Sequence, residues 1–192
     1  WSPEGRIIKN CQVVNNTAFE NAKDRLGEIA IYSTENTTIK NNIFYSTHAN
    51  SNLLYVDDSH LNLDMNFNHY SSSPDVKFYW KGSIFSTFEQ YKQNTGCDLA
   101  SAFSNPLFID TEVFDFQLQS TSPCIDTSDP AYTPAENELD FNHNPRKVGA
   151  CIDKAMSQRI AVKIFHSDQV AIFKITGNSV DLIVIDPGAA GL

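Results

Sequence analysis

From Ile29 to Tyr70 apolar and polar residues alternate in short runs, two residues to a cycle, and Asn, Ser, Thr and Asp break the runs. Such alternation predicts strands whose side chains point to opposite faces in turn. The pattern also repeats. When Ile29–Ser46 is set over Leu53–Tyr70, Ile29 falls on Leu53, Ile31 on Tyr55, Ile39 on Leu63, Asn42 on Asn66 and Ile43 on Phe67, each at an offset of 24 residues. An earlier copy, Arg6–Asn16, places Ile8 31 residues before Ile39, and the segment Glu20–Gly27 takes up the excess of 7. About three short strands per period fit one turn of a right-handed parallel β-helix, with coils stacked roughly 4.8 Å apart. A helical repeat would show a 3.6-residue pattern and would not tolerate Asn41-Asn42 or the run Thr34–Thr38. Asn42 over Asn66 reads as an asparagine ladder at a coil corner.

After Ser73 the pattern changes. Val76–Trp80 reads as a strand, and Ser86 with Glu89 three residues on forms a capping box. With Gly96 as the stop, a short helix is expected near 87–94, its inward stripe formed by Phe88, Tyr91 and Lys92. Residues 159–166, 169–176 and 179–186 are three strand-like runs joined by turn residues, an antiparallel meander. The expected division is therefore coils over 1–73, terminal coils and a capping region over 74–157, and a strand-rich tail over 158–192. We read the tail as a cap on the open sheet edge, the alternatives being pairing with another chain or anchoring. The expected fold class is all-β: a parallel β-helix solenoid with one flanking helix and an antiparallel tail. Three coils are few for a free-standing stack, so the chain reads as the C-terminal end of a longer solenoid or a shortened one.

Composition narrows the function classes. The 192 residues include 41% hydrophobic residues, enough for a packed core, and no apolar run long enough to span a bilayer. Lys and Arg number 14 against 23 Asp and Glu, a net charge of −9, which argues against a phosphate-backbone binder. Of 18 Asn, 12 lie between Asn10 and Asn68, a density suited to tight turns and left-handed backbone. The four Cys have no C-x-x-C pair and no His at metal-ligand spacing, so a zinc site is not expected; Cys124–Cys151 is a candidate disulfide, against plain buried thiols.

Several blocks in the second half carry a resemblance. Asn105–Asp110 (NPLFID), Asp115–Leu118 (DFQL), Ser122–Asp126 (SPCID), Asp140, Arg146 and Gly149-Ala150 follow one another in the order seen at the end of secreted bacterial proteins of the pectin-lyase-like, right-handed parallel β-helix superfamily. The chain resembles that superfamily over residues 6–153, but Cys151-Ile152-Asp153 departs from its usual aromatic–Glu ending. The resemblance implies a secreted or cell-surface location and an extracellular polysaccharide as partner. It also implies a choice among lyase, glycoside hydrolase and non-catalytic surface module, since the fold hosts all of them.

Three groups of residues are candidates for chemistry. The 24-residue register puts Lys9, Lys40 and Asp64 in one outward column, with Lys40 as a proton-abstracting base or a carboxylate-binding charge and Asp64 tuning it. The plainer alternative is a solvated charge ladder. Asp57, Asp58 and His60 form a loop able to act as acid and base on a glycosidic bond or to hold Ca²⁺, against a plain polar turn; no cofactor is otherwise expected. Lys9 and Asn36 are the expected substrate-binding residues. His48 and His69 show no evident partner. Asp140–Asn144 resembles the opening of a calcium loop, but Pro145 stands where Gly is needed, so a loop tied by Asp140 and Arg146 is preferred. Asn15-Asn16-Thr17 and Asn36-Thr37-Thr38 are glycosylation sequons by pattern alone.

Overall fold

The computed structural model describes residues 7–22, 26–135 and 138–140, and in the tail the backbone of three strands within 162–185. The described chain is mostly β, with one helix. Three four-stranded sheets dominate it. The first holds β1 (Ile8–Lys9), β2 (Gln12–Val14), β5 (Thr34–Lys40) and β8 (Leu61–Asn66). The second holds β3 (Thr17–Phe19), β6 (Ile43–Ser46), β9 (His69–Ser72) and β12 (Ala102–Phe103). The third holds β4 (Ile29–Ile31), β7 (Asn52–Val56), β10 (Lys77–Trp80) and β11 (Ser83–Phe85). From β1 to β11 the chain visits first, second and third sheet in the same cyclic order, β12 then joins the second sheet directly, and every pairing within these sheets is parallel except β10 with β11.

The register corrects the expected period. Thr17 pairs with Ile43, Phe44 with Tyr70, Val13 with Ile39 and Ile39 with Met65, all at 26 residues, while Ile29 pairs with Leu54 at 25. In the first two sheets offsets of 24 and 26 have the same parity, so each apolar residue keeps its face under either one. Alternation therefore cannot tell them apart. In the third sheet the offset of 25 moves Ile31 from Tyr55 to Val56, and the next pairing, Phe78 with Leu54, is at 24. The segment 20–27 carries no register excess, because Asn16, Asn42 and Asn68 are evenly spaced. The ladder exists, but it runs through those three: Asn16 Nδ2 donates to Asn42 Oδ1 and Asn42 Nδ2 to Asn68 Oδ1, both at 3.1 Å. A second, exposed ladder links Asn62 to Asn36 (2.8 Å) and Asn36 to Asn10 (3.2 Å). Asn10, Asn36 and Asn62 all have positive φ, as do Asn15 and Asn41 at the next bend. Asn is the side-chain-bearing residue that adopts left-handed backbone most readily, which accounts for its density here.

Side chains from all three sheets meet in one core, including Ala18, Ile31, Ile39, Phe44, Leu54, Val56, Met65, Tyr70 and Phe78. The helix α1 (Phe88–Thr95) closes this core with Phe88 and Tyr91, as the stripe predicted, and Lys92 Nζ lies 5.0 Å from the Phe88 ring centre. Its N-cap is Thr87 rather than Ser86. The Thr87 hydroxyl accepts from the Gln90 amide at 3.2 Å, and the Gln90 side chain reaches back to the Ser86 amide, so Gln90 takes the part assigned to Glu89. Gly96 ends the helix in left-handed conformation, φ 69°.

The block residues at 105–126 build a hairpin, β13 (Phe108–Asp110) with β14 (Asp115–Leu118). Phe108 and Cys124 pack with Ile43 in a second apolar cluster, and the Ser122 hydroxyl donates to the Pro106 carbonyl at 2.6 Å. The tail is an antiparallel meander of β15 (Val162–Ile164), β16 (Val170–Thr176) and β17 (Ser179–Ile185), as its sequence predicts. Cys151 and Arg146 lie outside the described residues, and with them the Cys124–Cys151 and Asp140–Arg146 pairings and all of the calcium-like loop but Asp140.

Candidate functional site

The outward face of the first sheet carries most of the predicted residues. Along β5, Thr37 and Ile39 point inward and are buried, whereas Glu35, Thr38 and Lys40 alternate outward. Strand pairing places Glu35 beside Lys9, Thr38 beside Asp64 and Lys40 beside Asn66. Lys9 is thus not in the Lys40 column. It forms its own ion pair with Glu35 at 2.6 Å. Lys40 and Asp64 do meet, at 2.9 Å, as diagonal neighbours on one face. A second carboxylate, absent from the sequence reading, reaches Lys40 from the loop after β14: Asp129 lies 3.3 Å from its Nζ. Hydrogen bonding from Asp64, with Asp129 behind it, raises the Lys40 pKa above its ordinary value. An ammonium held charged between two carboxylates is a poor proton acceptor near neutrality.

The Asp57–His60 segment is a turn between β7 and β8. The Asp57 carboxylate accepts from the Ser59 amide (2.9 Å) and the Ser59 hydroxyl (2.6 Å), an Asx turn. His60 Nδ1 lies 2.7 Å from the Asp57 carbonyl, which fixes the proton on that nitrogen, and its ring sits edge-on to Trp80 at 5.4 Å. Asp58 is exposed. These bonds bind the turn to itself. The structure does not bring Asp57, Asp58 and His60 together with Lys40, and among the described residues no cluster of His, Cys, Asp or Glu is arranged to hold a metal. Asn36 is part of the exposed ladder, beside Asn10 and Asn62. Next to the turn, Tyr32, Tyr55 and Tyr79 line the outside of the third sheet. Tyr55 and Tyr79 stack at 4.3 Å, and burial with the neighbouring Tyr55 and Asp57 pushes the Tyr32 hydroxyl up to about 12.

Both histidines have partners. His48 Nε2 lies 3.1 Å from Glu20, whose carboxylate also accepts from Thr47. His69 is fully buried, with Nε2 2.9 Å from the Ser104 carbonyl. Two buried carboxylates escaped the sequence reading. Glu28 accepts from the amides of Asn21 and Ala22 and from the Asn21 side chain at 2.8–3.0 Å; burial outweighs these bonds and raises its pKa to about 8. Asp98, 1% exposed, ends the asparagine ladder by accepting from Asn68 Nδ2 at 3.0 Å, and it also accepts from Ser101, Tyr70 and Tyr91. The one available signal for the true register was the asparagines themselves, since Asn10, Asn36 and Asn62, like Asn16, Asn42 and Asn68, recur every 26 residues. Asp129, 89 residues from Lys40, had no such signal.

Fold and site together define a β-rich protein with parallel sheets and ordered polar columns on its outer faces. No protein family and no solved structure matches it. The chain is similar to "Uncharacterized protein YwoF" of Bacillus subtilis (strain 168), with 29% identity over 121 residues. That match covers 59% of this chain and 25% of the relative, so the chain corresponds to about a quarter of that relative's length.

Proposed function

We propose that the chain is a right-handed parallel β-helix module of a secreted or cell-surface protein and that its outer face binds an extracellular polysaccharide. What carries the reading is the register: polar groups on successive strands line up one above another, in the Asn10–Asn36–Asn62 ladder and the Lys9–Glu35 pair, with Lys40 and Asp64 bridging diagonally beside them. Columns spaced by one strand separation, about 4.8 Å, suit a ligand that is itself extended and periodic. Largely parallel pairing in three sheets, visited in cyclic order from β1 to β11 around one shared core, supports the solenoid part of the reading. Binding is favoured over bond cleavage. Lys40 is kept charged, and the Asp57 carboxylate is engaged within its own turn.

Affinity electrophoresis through gels of neutral and uronate-containing polysaccharides tests the proposal, with ultraviolet absorbance and reducing ends followed in parallel. Retardation by at least one glycan is expected, weakened by Lys9→Ala, Asn36→Ala or Lys40→Ala, without unsaturated product or new reducing ends. An unsaturated product would make the protein a lyase, and reducing ends alone a hydrolase. Migration unchanged in every gel would remove the binding reading. A non-catalytic spacer is the second reading, favoured by the mutual neutralisation of the outward charges; it predicts self-association that is lost on deleting residues 158–192.

A further inference from the structure

The segment that follows β14 does not simply run across the surface. It dips inward at Ser128 and Asp129, whose neighbours Thr127 and Pro130 are exposed. At the dip the Asp129 amide donates to Asn41 Oδ1 at 2.7 Å and the Asp129 carboxylate meets Lys40 at 3.3 Å. The Tyr132 amide returns to the Asp129 carbonyl at 3.0 Å and the Ala131 amide to the Asp129 carboxylate at 2.9 Å, so the segment arrives as a preformed turn. It makes an ionic contact with the sheet face through Lys40. That ammonium is shared with Asp64, which is nearer (2.9 Å) and 57% exposed, whereas Asp129 is 13% exposed. At the turn, Asn41 Nδ2 and Ser128 Oγ are buried without a hydrogen-bond partner among the described residues. Lifting the turn gives both back to water, so the docked position is opposed by unmet polar groups.

We infer that residues 126–132 form a strap over the outward face of the first sheet, latched by Lys40, and that Asp64 competes with Asp129 for the latch. Two carboxylates on one ammonium repel each other, so neutralising or occupying one strengthens the hold of the other. If the outer face binds a polysaccharide, as proposed above, sugar hydroxyls engaging exposed Asp64 would shift Lys40 toward Asp129 and close the strap beside the ligand.

Hydrogen exchange on the intact protein, read by mass spectrometry over residues 126–135, tests this without a glycan. Lys40→Met and Asp129→Asn should each speed exchange there by about three- to fivefold. Asp64→Asn should slow it, while amides of β6 and β9 stay protected in all three variants. Raising NaCl to about 0.5 M should speed the strap in the parent protein and leave Lys40→Met unchanged. Faster exchange in Asp64→Asn, or strap exchange that none of the variants alters, overturns the proposal. Since no glycan is present, that failure leaves polysaccharide binding untouched, and a failed gel assay leaves the strap standing.

Discussion

Asp98→Ala removes the one acceptor shared by four buried donors, the Asn68 amide and the hydroxyls of Ser101, Tyr70 and Tyr91. Tyr70 and Tyr91 are fully buried, so their hydroxyls gain no water when the carboxylate is lost. Burial, reinforced by the Asp98 charge, holds both phenols well above their ordinary pKa, so they remain donors across the usable pH range. A hydrogen bond to a charged group contributes about 1.5–3 kcal/mol, and a buried donor left unpaired costs about 1–3 kcal/mol. Bonds sharing one acceptor are not additive, so Asp98→Ala should destabilise the protein by about 3–5 kcal/mol, less than the sum of four separate losses. Asp98→Asn keeps an acceptor of the same shape, and the tyrosine hydroxyls can rotate, so it should cost about half as much. Urea unfolding followed by circular dichroism measures both. Tyr91→Phe supplies the control: about 1.5–3 kcal/mol in the parent background and close to nothing once Asp98 is alanine. Equal costs of Tyr91→Phe in the two backgrounds, or a loss below about 1 kcal/mol for Asp98→Ala at unchanged denaturant slope, would refute the view that this carboxylate terminates the ladder.

Other consequences follow from the same contacts. With a folded-state pKa of about 8 against an ordinary 4.5, Glu28 binds more protons folded than unfolded between those values. Its contribution to stability is therefore greatest below about 4.5 and falls, by about 1.4 kcal/mol per pH unit, as pH rises toward 8. Glu28→Gln should flatten that slope in a series of urea titrations across pH. Gly27→Ala sets a Cβ 2.9 Å from the Ile29 carbonyl oxygen and 3.2 Å from the Tyr55 amide, both backbone atoms, and should cost about 1–3 kcal/mol by thermal unfolding. Asn42→Leu takes the acceptor from the Asn16 amide and removes one hydrogen bond each from the Asn16 side chain, the Asn68 side chain and the Val13 and Lys40 carbonyls; a loss of about 2–4 kcal/mol is expected by the same measurement, exceeding that of exposed Asn36→Leu.

Much of the fold is legible in the residues because its causes are local. Alternation gives strands, Phe88 and Tyr91 give the buried side of the helix, Gly96 gives its end, and the tail's three apolar runs give its meander. Facing is local too, so Thr37 and Ile39 inward and Lys40 outward follow from period alone. The register is different. In the first two sheets a slip of two residues preserves every facing, so apolar alternation admitted 24 where backbone pairing selects 26, and the asparagine bends decide between them. Lys40 still meets Asp64, because a long side chain reaches the diagonal neighbour two residues from its pairing partner.

By itself the sequence determined which segments are strands and which side of each faces the core, since both depend on neighbours a few residues apart. Tertiary structure decided where the polar columns run and what they touch. Asp129 reaches Lys40 across 89 residues, Asp98 ends a ladder that begins at Asn16, and the Asp57–His60 turn closes on itself away from Lys40. Whether Lys40 is a free base or a held cation depends on the carboxylates within about 4 Å of its nitrogen, and that neighbourhood is assembled only when distant parts of the chain pack together.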